Sequence, residues 1–527
     1  MSILYRPGLA AIVFLALTAG LDAVKKPALT EHELTTLKAC QGIVRLFKQY
    51  PDQIWPGFNL AARPVLVYIP GKWALLLNPP REATEFSALP PGWPNLGTKA
   101  GYYPGQFRDL IGQLVFDFPV GKSKTVAVGI LENHFESLGP KTAMIFGYIV
   151  HEAFHQFQSE AFGEIPWERE ERYPILNPDN SALAALEMDL LRDAVDRAFR
   201  DRKEESVELL KMFVAVRTKR WGQAPPFVAR YEQGQEVREG TASYVEKKSL
   251  QLAQTLKFDS SLSPLTGPLH QDLGMLPIQE IFQKDFAGRL TEDAVAPDNM
   301  IRNRIYPLGS ALGFLADPFG PAWKQDLAHN TMTFSFSGYF RDKLGINETD
   351  LNLLVEEAKR CYAFNRVSES TEKLIADYKN GFATDMAGFA SQAGTGMRIR
   401  LQYRSISRSR SSAGRVWVMD DGAKTLLTKV RVYTLKTEGF ALQIQDSAVY
   451  EENEWDKKIR EIGFFVQDLK RIIIDGADIE KLENGRSVAF KSIELGGENF
   501  TFSSSLPGRI TGEGGQVKID LIPFSPE

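Results

Sequence analysis

His151-Glu152-Ala153-Phe154-His155 sets two imidazoles four residues apart with a carboxylate beside the first. On a helix, positions four apart stack on one face, so both imidazoles can meet one ion. Glu152 then lies about 100° round the axis, beside the ion rather than on it, where it can take a proton from a metal-bound water. Neutral imidazole suits Zn²⁺, and a carboxylate is a fitting base for a water whose pKa zinc lowers to about 7. The chain holds six histidines, and chance matches to H-E-x-x-H are on the order of 0.005. The competing reading, a solvated or internally satisfied His pair, conflicts with the apolar run 143–150 just before the motif.

Catalytic zinc usually takes three protein ligands and a water. A third His close behind His155 is missing, since position 158 is Gln and 161 is Ala. The third ligand must come from elsewhere. Arg238-Glu239-Gly240-Thr241-Ala242-Ser243-Tyr244 falls on the third helical segment after the motif. Small residues beside Glu239 would let two helices approach closely enough to share an ion. Glu232, Glu236 and Glu246 compete nearby, and Glu187, a lone acid on an apolar helix, is the next candidate.

These residues need a scaffold, and the patterning supplies one of α+β class. Helical spacing covers 31–50, followed by two short strands, 65–69 and 73–77, around Pro70-Gly71. A Pro- and Gly-rich stretch, 82–105, reads as a loop, and 113–118 and 125–130 as further strands. A long apolar helix over about 140–162 carries the motif. Helices are then expected over 181–200, 204–221 and 227–253, and again around 308–315, 349–365 and 372–382. From Met397 the period changes to two, with strands at 398–403, 416–419, 429–435, 440–445, 464–467, 488–490 and 517–521, the pattern of a separate β module. The expected divisions are a signal peptide (1–23), a mixed lobe (24–138), a mainly helical lobe holding the zinc (139–395) and a β-rich C-terminal module (396–527).

Composition bounds the rest. With 527 residues, 43% hydrophobic and 24% charged, the chain excludes wholesale disorder and a polytopic membrane protein. Sixty-two basic against 66 acidic side chains, a net charge of −4, gives no reason to expect nucleic acid. Residues 8–21 are uncharged, too short for the roughly 20 residues of a membrane span and fitting a secretory signal cleaved after Gly20 or Ala23. The expected location is therefore secreted or periplasmic, without stable membrane insertion once the signal is removed. Cys40 and Cys361 can form one long-range bridge or stay as free thiols. Gly121-Lys122-Ser123 lacks the leading glycine of a phosphate loop, Gly512-Glu513-Gly514-Gly515 reads as a turn, and Arg404, Arg408, Arg410 and Arg415 read as a solvated hairpin connection or a contact for an acidic polymer.

H-E-x-x-H with a later helical Glu-Gly-x-Ala resembles the gluzincin class of zinc metallopeptidases, the thermolysin-like and aminopeptidase-like superfamily, over about residues 55–330. The resemblance implies a zincin-like unit, a mixed sheet lobe on a helical lobe with Zn²⁺ between them. It implies His151, His155 and Glu239 as ligands and Glu152 as general base and proton donor toward a peptide or protein substrate. Many members place an acid four residues after the third ligand, supporting a ligating His. Here that position is Ser243, which leaves Glu236 or a backbone carbonyl as the support. An oxyanion stabiliser is also expected, best supplied by Tyr306 ahead of Tyr244 and His270. No Gly-x-Met-x-Asn exopeptidase motif precedes the His pair, which favours an endopeptidase or oligopeptidase. The alternative function is an extracytoplasmic binding protein with a structural or vestigial zinc site.

Overall fold

The computed structural model describes residues 29–107, 115–120, 123–132, 141–166, 168–255, 276–291, 293–403, 405–480, 482 and 484–521. The expected signal segment, His134, His270, Arg404, Gly121, Lys122 and the expected helix start at 139–140 lie outside them. The fold is α+β: a helical region against a five-stranded mixed sheet, followed by a β-rich C-terminal region. No described helix is long and apolar enough to cross a membrane.

Helix α1 (Glu31–Gln49) starts at Thr30, whose hydroxyl caps Glu33 N while the Glu33 carboxylate returns to Thr30 N. Strands β1 (Val65–Ile69) and β2 (Trp73–Leu77) pair antiparallel across the Pro70-Gly71 turn, where Gly71 takes φ 75°. β3 (Ala100–Pro104) adds to β2, while β5 (Ser123–Gly129) adds parallel to β1 and β4 (Val115–Val120) antiparallel to β5. The sheet order is thus β3-β2-β1-β5-β4. β3 falls inside the stretch expected to be a loop. Its proline is tolerated because it ends an edge strand, and Gly101 lies where a Cβ would come within 2.6 Å of Phe86 Cβ.

Both faces of β1 and β2 are buried. Val65, Val67, Ile69, Leu75 and Leu77 join α1 and the motif helix in the main core, while Leu66, Tyr68, Ala74 and Leu76 pack with Phe107 and Phe118. The main core runs on without a break into the helical region. There, α2 (Lys141–Ala161) carries the motif, and α3 (Pro178–Phe199) and α4 (Lys203–Gln223) pair beside it. The helix expected over 227–253 is three pieces: α5 (Pro226–Gln235), a π-helical turn (Glu236–Gly240) and α6 (Thr241–Thr255).

Short helices at Ile278–Ala287, Ala322–His329 and Phe336–Leu344 carry too few turns for a periodic signal and were not expected. The segment expected to be helical over 349–365 breaks where Ala363 takes φ 46°, and 372–382 is the middle of a 27-residue helix, Phe364–Ala390. This helix docks the β region: Tyr378 meets Trp417 at 4.7 Å and Asp385 accepts from the Trp417 indole at 2.7 Å. The β region's own core alternates along its strands, as at Met397, Ile399 and Leu401. Residues 407–412 are a paired strand rather than a connection, solvent-exposed as expected at every position but Arg408, while Gly514 and Gly515, both at positive φ, make the expected turn. Cys40 is buried, Cys361 is exposed, and both are free thiols.

Beneath the motif lies a fully buried ionic network. Glu187 accepts from Arg217 at 2.9 Å and Arg220 at 2.5 Å, and Glu232 accepts from Arg220 at 2.6 Å. Arg304 also bonds Glu232, and Arg217 bonds Glu236. Three acids meet three guanidiniums, so the group is neutral. Burial raises the Glu232 carboxyl, but Arg220 and Arg304 outweigh it and hold it well below the usual range. Removing one partner from such a group strands a buried charge. Glu232→Ala is expected to lower the free energy of denaturant unfolding by about 3–5 kcal/mol. A loss below about 1 kcal/mol, the scale of a surface pair, would show that the network does not support the fold.

Candidate metal centre

Helix α2 turns two faces to the protein. Phe154 and Phe157 enter an aromatic cluster with Trp55 and Phe58, fixing the helix axially and in rotation. That rotation aims His151 and His155 at the π-helical turn. Their Nε2 atoms lie 3.1 Å apart, and Glu239 Oε2 lies 3.2 Å from His155 Nε2 and 3.6 Å from His151 Nε2. The three ligand atoms form one group that can hold a metal ion. Tetrahedral zinc with bonds of 2.0–2.2 Å requires ligand atoms about 3.3 Å apart, so the residues fit the ion.

The far side of each ring settles which nitrogen is bare. His151 Nδ1 faces Glu246 Oε2 at 3.2 Å and His155 Nδ1 faces Gln158 Oε1 at 2.8 Å. Each acceptor calls for N–H at Nδ1, so both Nε2 atoms face Glu239 and would offer their lone pairs to a cation that displaces the proton held there. Burial pulls the His151 imidazole down, yet Glu239 and Glu246 outweigh it and push it up to about 9. Burial likewise raises Glu239, but hydrogen bonds from both imidazoles prevail and hold it well below the usual carboxylate range. The arrangement therefore favours positive charge at its centre.

Sequence reasoning singled out neither Glu246 nor Gln158 as an orienting group. Glu246 stands seven residues after Glu239, two helical turns on and so on the same face. It occupies room left by Gly147, where a Cβ would come within 3.0 Å of its Oε1. The Gln158 amide nitrogen bridges to the Val237 and Arg238 carbonyls at 2.9 and 2.8 Å, tying α2 to the π-helical turn. Ser243, at the position where an acid was expected, instead accepts from Lys247 at 2.8 Å. Glu236 supports no imidazole because Arg217 takes it. Glu187 and Glu232 are likewise held by arginines, away from the ligand group.

The small residue after Glu239 serves a different helix from the one expected. Gly240 meets Gly309 of the helix Ile305–Ala316, and a Cβ on Gly309 would lie 2.2 Å from Gly240 Cα. That contact brings Tyr306 to the site, its ring centroid 5.9 Å from that of His151; burial, and then the neighbouring Glu239 carboxylate, raise its phenol. Tyr244 is elsewhere, bonded to Asp317 at 2.9 and 3.0 Å. Burial raises Glu152 above the ordinary carboxyl value; His151 and His155 pull it back, and Glu239 and Glu246 add to the rise.

The chain matches no protein family, no curated protein and no solved structure. What can be said of the site therefore rests on its geometry. A cavity of about 300 Å³ opens against His155 and Glu239, with Gln158, Ser159, Ile165 and Arg238 completing its lining. The ligand side chains themselves are 10–25% exposed. A small group can thus reach the metal position from one side.

Orienting acids of this kind typically change metal affinity 10–100-fold. Glu246→Gln is expected to weaken zinc binding by about that factor in competition with a chromophoric chelator. Unchanged affinity would mean that Glu246 does not orient His151.

Proposed function

We propose that this chain is a zinc-dependent metallopeptidase of gluzincin type, exported from the cell. The observation that supports the reading is the convergence of His151, His155 and Glu239 at tetrahedral-zinc spacing, with a half-buried carboxylate, Glu152, next to the first ligand. A structural site needs no such neighbour, and structural zinc sites are normally closed by four protein ligands. Here three protein ligands leave a position facing a cavity.

Zinc bound there would polarise a scissile carbonyl and acidify a water. The chain's own groups do the rest. Glu152, its carboxyl raised by burial, accepts a proton from the attacking water and returns it to the departing amine. Tyr306, its ring beside that of His151, offers its phenolic hydrogen to the carbonyl oxygen as negative charge develops there. Glu246 and Gln158 keep both imidazoles in the tautomer that points Nε2 inward. Peptide bonds are the proposed substrate, with internal cleavage favoured over removal of an N-terminal residue.

General-base groups contribute 10²–10⁴-fold. Glu152→Gln is expected to retain about one zinc per chain while turnover of a quenched fluorescent peptide library falls at least about a hundredfold. Full turnover in that variant would sink the general-base role. A zinc-loaded wild type that cleaves no library member would instead favour an extracytoplasmic binding protein with a structural zinc.

A further inference from the structure

The segment between α2 and α3 forms one wall of the cavity through Ile165. Its carbonyl at Pro166 packs on Gly234, where a Cβ would come within 2.2 Å. Beyond that point its grip changes owner. The Arg169 guanidinium lies over the Trp455 ring at 5.3 Å, and Glu171 Oε1 receives Arg408 Nη2 at 2.6 Å. Both partners belong to the C-terminal β region. Arg408 also bonds the fully buried Glu451 at 2.8 Å, so its position is set from within that region. The hairpin turn before strand Lys424–Thr437 presses on the same residue. Gly422, at φ 80°, lies so near the Glu171 carbonyl that a Cβ would stand 1.9 Å from its oxygen.

Between these anchors, Glu170 turns the other way and accepts from Arg302 Nε at 2.6 Å. Arg302 stands four residues before Tyr306, and its charge acts on both Glu239 and the Tyr306 phenol. A path of contacts therefore runs from β strand to the approach of the Tyr306 helix: Glu451, Arg408, Glu171, its neighbour Glu170, and Arg302.

We infer that the C-terminal β region is a working part of the metal site, fixing residues 169–172 and through them the cavity wall and Arg302. Arg408, Glu171 and Gly422 are positioning residues, and none touches substrate. The functional half of this inference rests on the proposed peptidase reading. A tethered binding module would need only its dock on the helix Phe364–Ala390. Here the strand Ser407–Ser412 also commits a mostly buried arginine to the loop beside the ligands.

Glu171→Ala is the discriminating variant, because Arg408 keeps Glu451 and the β region keeps its internal pairing. Gly422→Ala attacks the same contact from the other side. Full-length zinc-loaded protein would be followed by hydrogen exchange over 163–177 and 302–306, and by calorimetric titration with a peptide hydroxamate. Both variants are expected to keep zinc content, with Tm held in Glu171→Ala and lowered in Gly422→Ala by the strain of a Cβ at φ 80°, to exchange faster over both segments and to bind the hydroxamate roughly tenfold more weakly. Glu171→Gln, which keeps an acceptor, should fall between them and wild type. Unchanged exchange, or faster exchange with unchanged hydroxamate affinity, would overturn the inference. A wild type that holds zinc but ignores the hydroxamate would overturn the hydrolase reading itself, an outcome visible before any variant is made.

Discussion

A carboxylate on one helix comes within 3.2 and 3.6 Å of imidazole nitrogens on another, and the elements around it are packed so as to allow that approach. Two packed helices sit 8–10 Å apart, so a ligand reaching across must start from backbone held at a set height and rotation. The π-helical turn Glu236–Gly240 supplies the rotation, since its extra residue shifts everything after Gln235 round the axis. Gln158 supplies the height by bonding carbonyls on that same turn while orienting His155. Gly240 and Gly309 supply the third coordinate, their backbones in direct contact. One side chain and two glycines thus connect the ligand helices and the Tyr306 helix.

The ionic network under this junction has the same logic at larger scale. Glu236 begins the turn that presents Glu239, and Arg304 precedes Tyr306 by two residues; Arg217, Glu187, Arg220 and Glu232 connect the two. Buried charge contributes little net stability compared with a well-packed apolar core. Its value is that ionic hydrogen bonds are directional, so the elements they join have one acceptable arrangement rather than several. Several polar atoms of the network, including Arg217 Nη2, Arg304 Nη1 and Glu236 Oε2, have no hydrogen-bond partner among the described residues. Buried water is the ordinary occupant of such positions.

Much of this was legible in the sequence where chemistry or period leaves a strong mark. The His pair, read from its spacing, Glu239, read from its small neighbours, and Tyr306, implied by the resemblance, converge in the structure. β1, β2 and the strand Val416–Met419 fall on their expected residues, and α2 ends within one residue of its expected limit. Other features left no such mark. Glu246 looked like a rival ligand because seven-residue spacing fixes a shared face but not which acid meets both imidazoles. The π-helical turn has no composition of its own, so 227–253 read as one helix. Gly240 showed that something packs closely, but only the fold says that the neighbour is Gly309. Arg408 sits among serines and arginines that read as solvated, and its partners, buried Glu451 and half-buried Glu171, lie 43 and 237 residues away.

Three carboxylates crowd one small volume here, and their surroundings sort them into different states. Glu239 and Glu246 are each held ionised by an imidazole hydrogen bond strong enough to overcome burial. Glu152 has Coulombic help from the same imidazoles but no hydrogen bond to them, so burial and the two neighbouring acids raise it. Carboxylates pushed apart in this way are the usual means by which one site both ligates and moves protons. The separation follows from the helix itself: at four residues the two imidazoles share a face, and at one residue Glu152 is turned off it, unable to bond either ring. In the proposed mechanism the H-E-x-x-H spacing therefore does two jobs. It aligns two ligands, and by the same rotation it keeps the third acidic group out of the coordination sphere and available for the proton.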